Sequence, residues 1–130
     1  MKIILSLLAL LWASSALAME FSCQTQLTCV TPAGCAEKLA PVRIAYLDGD
    51  RLRLSVGETS DTLTRLPSTA GTRVLAYGAG QRGHGLLSLT VFDNLTFTYT
   101  SHLKLKLHEG QGIPRGVNVT VLGTCELGNG

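Results

Sequence analysis

The sequence holds one tryptophan, and charged residues make up only 15% of its 130 positions. It has no run of about 20 apolar residues, the length that crosses hydrocarbon as a helix, and no heptad, internal repeat or low-complexity segment. Gly-x-Ser-x-Gly, the nucleophile elbow of α/β hydrolases, does not occur. No Ser, His and Asp fall in a recognisable triad order. The glycine-rich stretch 78–85 lacks the Lys-Ser/Thr ending of a phosphate-binding loop. Asp48 and Asp50 flank Gly49, where they read as turn formers rather than as an acid and base pair. With no catalytic constellation, neither an enzyme activity nor a cofactor is expected.

What is present begins with a leader. Lys2 heads the apolar stretch Ile3-Ile4-Leu5-Ser6-Leu7-Leu8-Ala9-Leu10-Leu11-Trp12, and Ala16-Leu17-Ala18 closes a small-residue run as a cleavage site. Charged head, apolar centre and Ala-x-Ala end define residues 1–18 as a signal peptide. Glu20-Phe21-Ser22 before Cys23 is not the small, Leu-containing approach to an acylated cysteine. The mature chain is therefore expected to be one domain, residues 19–130, without a membrane anchor and in the periplasm or outside the cell. Cleavage removes the only Trp and Lys2, which leaves ten Lys and Arg against nine Asp and Glu. So balanced a chain lacks the clustered positive charge that nucleic acid requires.

All four cysteines, Cys23, Cys29, Cys35 and Cys125, survive cleavage. In a short exported chain an even number reads as disulfides. Thr31-Pro32-Ala33-Gly34 is a turn composition that brings Cys29 and Cys35 together locally, and Cys23 is then left to pair with Cys125. The pairing of Cys23 with Cys35 and Cys29 with Cys125 stays open. Cys-x5-Cys-x5-Cys is not a zinc-ribbon spacing, so no metal site is expected.

Apolar residues recur with period two along most of the mature chain, the pattern of half-buried strands. Phe21, Cys23, Leu27 and Cys29 fall on one face of a first strand. Val42, Ile44 and Tyr46, then Leu52, Leu54 and Val56, frame a hairpin around Asp48-Gly49. Residues 58–66 carry only Leu63 and Leu66 as large apolar groups and read as a short or edge strand. Val74 with Ala76, Leu87 with Leu89 and Val91, Leu95 with Phe97 and Tyr99, Leu103 with Leu105 and Leu107, and Val117 with Val119 and Val121 complete the set. Only a short helical turn is expected, near Ala36-Glu37-Lys38-Leu39. About eight antiparallel strands at this spacing predict a small all-β barrel or sandwich, and a bridge between the first and last strands favours the barrel.

His84 sits with Arg82 among the glycines of 78–85, the one place where an imidazole is carried on a flexible segment, and both are candidate partner contacts. Stretch 110–116 is a second candidate contact loop. His102 and His108 share a strand face and read as surface histidines. Arg51 with Arg53 and Lys104 with Lys106 would form a cationic patch if their strands were neighbours; otherwise they are solvated charges.

Phe21-Ser22-Cys23 near the mature start, the run of short strands and Gly123-Thr124-Cys125-Glu126 near the end resemble the small exported β-barrel proteins of proteobacteria. Among them the chain is similar to the periplasmic and membrane-bound inhibitors of c-type lysozyme. That resemblance implies an eight-stranded barrel closed by a disulfide between its end strands, and a protein as partner. The chain lacks that family's Ser-Gly-x-x-Tyr and Lys-Gly-Asp-x-Ala segments, so no inhibitory residue is carried over. The expected function is a non-enzymatic exported binding module, and the resemblance implies an inhibitor of a lysozyme-type enzyme. The alternative is a carrier whose interior, lined by Leu54, Leu89, Phe97, Leu105 and Val119, holds a small apolar ligand.

Overall fold

A computed structural model describes residues 19–31, 33–79, 84–104 and 116–128. Nine strands follow one another: β1 (Glu20–Thr31), β2 (Gly34–Glu37), β3 (Pro41–Tyr46), β4 (Arg51–Val56), β5 (Thr59–Leu66), β6 (Thr72–Ala79), β7 (His84–Phe92), β8 (Thr96–Lys104) and β9 (Gly116–Gly128). They hydrogen-bond in the order β2-β1-β3-β4-β5-β6-β7-β8-β9, and β1 also pairs with β9. Eight strands thus close an antiparallel barrel, and β2 is an extra strand beside the far half of β1. Closure satisfies the backbone groups that an open sheet leaves at its edges.

Alternation decides what fills the barrel. Phe21, Ile44, Leu52, Leu63, Leu89, Val74, Val91 and Phe97 each expose 1% of their surface or less. They form one cluster with Leu54, Leu87 and Val121, against which Tyr46, Tyr99 and Val119 pack. The proposed carrier lining, Leu54, Leu89 and Phe97, is therefore interior packing; Leu105 lies outside the described residues. Each fully buried Leu or Phe contributes about 1.5–3 kcal/mol. Arg43, Arg51, Arg53 and Arg73 alternate with these residues and are exposed. An apolar inside and polar outside is the reverse of a membrane-spanning barrel.

The hairpin from Val42 to Val56 has the expected register, with Val42 opposite Val56 and Tyr46 opposite Leu52. Gly49 takes a positive φ of 51° in its turn. Arg51 donates from Nε and Nη2 to the two oxygens of Asp48, at 2.8 and 2.7 Å, and this pairing holds the Asp48 carboxyl below its usual pKa.

Five expectations need correction. Leu27 and Cys29 do not share a face with Phe21 and Cys23, because the β1–β9 register slips between Thr25 and Leu27. A bulge adds one residue and reverses the alternation beyond it, so Leu27 joins the half-exposed Leu122 while Val30 joins Val119. The segment near Ala36 is strand β2, not a helical turn, because the pairing of Cys29 with Cys35 extends it along β1. β5 is an eight-residue wall strand between β4 and β6 rather than an edge; one inward Leu63 suffices there because its neighbours supply the rest of the layer. Leu95 packs against the core as expected, but from a turn at φ 65° and not from a strand, held by Asn94 Oδ1, which accepts from Thr96 N–H and Oγ1 at 3.1 and 2.7 Å. Finally, β4 and β8 are not neighbours, so the condition set for a cationic patch of Arg51 and Arg53 with Lys104 is not met; Lys106 lies outside the described residues.

Both disulfides join directly opposed residues: Cys23 with Cys125 across β1 and β9, and Cys29 with Cys35 across β1 and β2. The first spans 102 residues and locks the closing pair of strands.

Candidate functional site

The antiparallel order sorts connections between two ends. At one, here the turn end, lie the start of β1, the turns after β3 and β7, and the link from β5 to β6. At the other, the loop end, lie the stapled β1–β2 hairpin, the β4–β5 turn and the strand ends at Ala79, His84, Lys104 and Gly116.

Of the candidate contact residues, His84 and Gly116 are described, and both open strands at the loop end. The glycine stretch is shorter as a loop than its composition implies, since Gly78 and Ala79 belong to β6 while His84 and Gly85 open β7. A Cβ at Gly78 would come within 2.7 Å of Leu63 Cδ2 and 3.1 Å of the Thr62 carbonyl oxygen, so the wall is tight there. Arg82 and stretch 110–115 lie outside the described residues, as does His108. His84 stands opposite Leu103 on β8, and Lys104 opposite Gly116 on β9. The ends of β7, β8 and β9 therefore stand side by side.

His102 and Asn118 face each other across β8 and β9 at this end. His102 Nδ1 lies 2.6 Å from Asn118 Oδ1, a hydrogen bond that fixes the ring against the amide. Asn118 in turn stands opposite Thr31, at the tip of the stapled hairpin. Thus an oriented imidazole, an amide and a disulfide-fixed hairpin lie in one row.

Inside the same end, polar groups enter the barrel. Ser101 is buried, Asp61 stands opposite the inward Leu54, and Tyr99 stands opposite Leu89 and Val121. Burial raises the Tyr99 phenol above its usual pKa, and the charge of Asp61 adds to the rise. Sequence reasoning missed Asp61 because it treated 58–66 as an edge. Counting back two residues from Leu63 would have placed it inward.

On the wall beneath the hairpin, a groove of about 350 Å³ runs between Leu39 and Pro41 on one side and Thr124 and Glu126 on the other, floored by Ser22 and Gln24. Among the described residues no cluster of three His, Cys, Asp or Glu side chains is arranged to hold a metal. The arrangement offers hydrogen-bonding groups on a rigid frame. Comparison of the chain with protein families, curated proteins and solved structures finds no match.

Proposed function

We propose that this protein is an exported, non-enzymatic binding module that holds another protein at its loop end. One observation carries the reading: at the loop end His102 and Asn118 pair across β8 and β9 in one row with Thr31 of the hairpin closed by Cys29 and Cys35. Side chains mounted on paired strands of a rigid frame lose little freedom on binding. The Phe- and Leu-filled interior directs contact to the outside. A lysozyme-type enzyme is the first partner to try, and the disulfides are compatible with an oxidising compartment.

The test is to immobilise residues 19–130 and pass lysozymes and periplasmic extracts over them. A partner should be retained, and His102→Ala with Asn118→Ala should weaken its retention at unchanged thermal stability. Failure to retain any protein from either source overturns the proposal.

A further inference from the structure

We propose that the free edge of β2 receives an extended segment of the bound protein, which joins the sheet as one more antiparallel strand. The inference rests on the binding-module reading above and names how the partner is held. Among the described residues β2 is the one strand with a single neighbour, since it pairs with β1 alone. All four of its residues are exposed, so it adds nothing to the core, yet the bridge from Cys29 to Cys35 fixes it to β1. What that staple preserves is the edge itself. An edge already ordered spares an incoming segment part of the cost of pairing.

Register decides which groups the edge offers. Lys38 N–H donates to the Gln26 carbonyl at 3.1 Å, and this pair continues the register that sets Glu37 opposite Leu27 and Ala36 opposite Thr28. Bonded and non-bonded pairs alternate in an antiparallel ladder. Lys38, Ala36 and Gly34 therefore bond to β1, and the N–H and carbonyl groups of Cys35 and Glu37 point away from it. Two residues of an added strand can exchange both bonds with these two. β2 carries no proline, and its register with β1 has no bulge, so neither of these guards turns a new strand away.

Charge selects the occupant. Glu37 and Lys38 are exposed, and among the described residues neither makes an ion pair. As neighbours on an extended chain they project from opposite faces. Opposite charges across a strand pair attract and like charges repel. An antiparallel segment that reads Asp-Lys, its acid opposite Lys38 and its base opposite Glu37, answers both. A second copy does not. Its outward groups meet in antiparallel registers that set Cys35 opposite Cys35, Cys35 opposite Glu37, or Glu37 opposite Glu37, and none of these gives Glu37 a cation. Leu39, 71% exposed, borders a shallow groove with Gln26 and Glu37 and offers apolar contact to the residue before the acid.

The isotope-labelled protein with both disulfides intact is titrated with the blocked peptide Val-Asp-Lys-Val-Thr-Val to about 5 mM, a range in which a millimolar complex registers. The amide resonances of Cys35 and Glu37 should shift and their hydrogen exchange should slow severalfold, while Gly34 and Ala36, already bonded to β1, keep theirs. The same peptide N-methylated at its Lys and Thr should bind about tenfold more weakly, because those amides donate to Glu37 and Cys35. Glu37→Pro removes an outward N–H and no bond to β1, and should abolish the shifts. Should that variant lose β2, Glu37→Lys keeps the edge; it should bind the probe about fivefold more weakly and prefer a peptide with Asp in place of its Lys. Absence of shifts at Cys35 and Glu37, equal binding of the N-methylated peptide, or a concentration-dependent dimer of the protein alone that protects both amides overturns the inference. A partner held as strongly by the Glu37→Pro protein in the retention test above leaves the binding module standing and rejects the edge.

Discussion

Gly123 on β9 lies directly opposite Phe97 on β8, and a Cβ at Gly123 would come within 2.5 Å of Phe97 Cε1 and onto the Gln24 carbonyl oxygen. The closing strand passes this point only because it carries no side chain there. Gly123→Ala should therefore cost about 1–3 kcal/mol through overpacking, measured by urea unfolding. Gly116→Ala, with open space around it, should stay within about 0.5 kcal/mol. Equal midpoints for the two variants would show that the wall yields at Phe97.

The two disulfides should differ in weight. Cys23 and Cys125 close 102 residues, whereas Cys29 and Cys35 close 6. In the chain-entropy account the long closure contributes about 4–5 kcal/mol and the short one less. Replacing Cys23 and Cys125 by Ser should lower the unfolding midpoint well below that of the Cys29→Ser, Cys35→Ser protein. The latter should lose local order at β2, read as faster amide exchange at Ala36. A larger loss from the short bridge would contradict this ordering.

Much of the wall was legible because its strands have one clear apolar face. Val42 to Val56, Leu87 to Val91 and Val74 with Ala76 repeat with period two, and period two has one solution when one face is buried. The Cys23–Cys125 pairing followed from treating Cys29 and Cys35 as a local hairpin. What failed is what period two does not encode. The bulge after Thr25 leaves no mark in composition, so Leu27 and Cys29 were assigned to the wrong face. β2 has no buried residue and exists as strand through its bonds to β1. β5 has a single buried side chain, and its place in the wall depends on β4 and β6. At the loop end, the inward turn of Asp61 and the pairing of His102 with Asn118 depend on register between strands, which no single segment specifies.

Tyr99 gives the protein an alkaline sensitivity of known sign. Burial, then the charge of Asp61, raises its pKa above the usual value of 10.0. The folded state thus keeps a proton that the unfolded chain gives up first. Stability from this group is fully present below about pH 10 and is lost as pH rises from there through the folded value. Tyr99→Phe should remove this part of the alkaline decline while other ionisations remain. If both proteins show the same slope of stability against pH above 10, Tyr99 is not its source.

Thr25 is the buried hydroxyl at which β1 changes partner. It exposes 3% of its surface; its Oγ1 donates to the Lys38 carbonyl at 2.6 Å and accepts from Ala40 N–H at 2.8 Å, while its own N–H donates to the Ala40 carbonyl at 2.9 Å. On the same side of β1, β3 pairs up to Gln24 and β2 pairs from Leu27, so Thr25 bonds the link between them. Thr25→Val keeps the shape but leaves the Ala40 donor and Lys38 acceptor without this partner, at an expected cost of about 1–3 kcal/mol. Thr25→Ser retains the hydroxyl and should cost less. Amide exchange at Ala40 should quicken in the Val protein before the core strands respond, because the lost bonds belong to the link and not to the wall. Equal stability of the Val and Ser variants would mean that packing of the methyl group, rather than the hydroxyl, holds β1 at its change of partner.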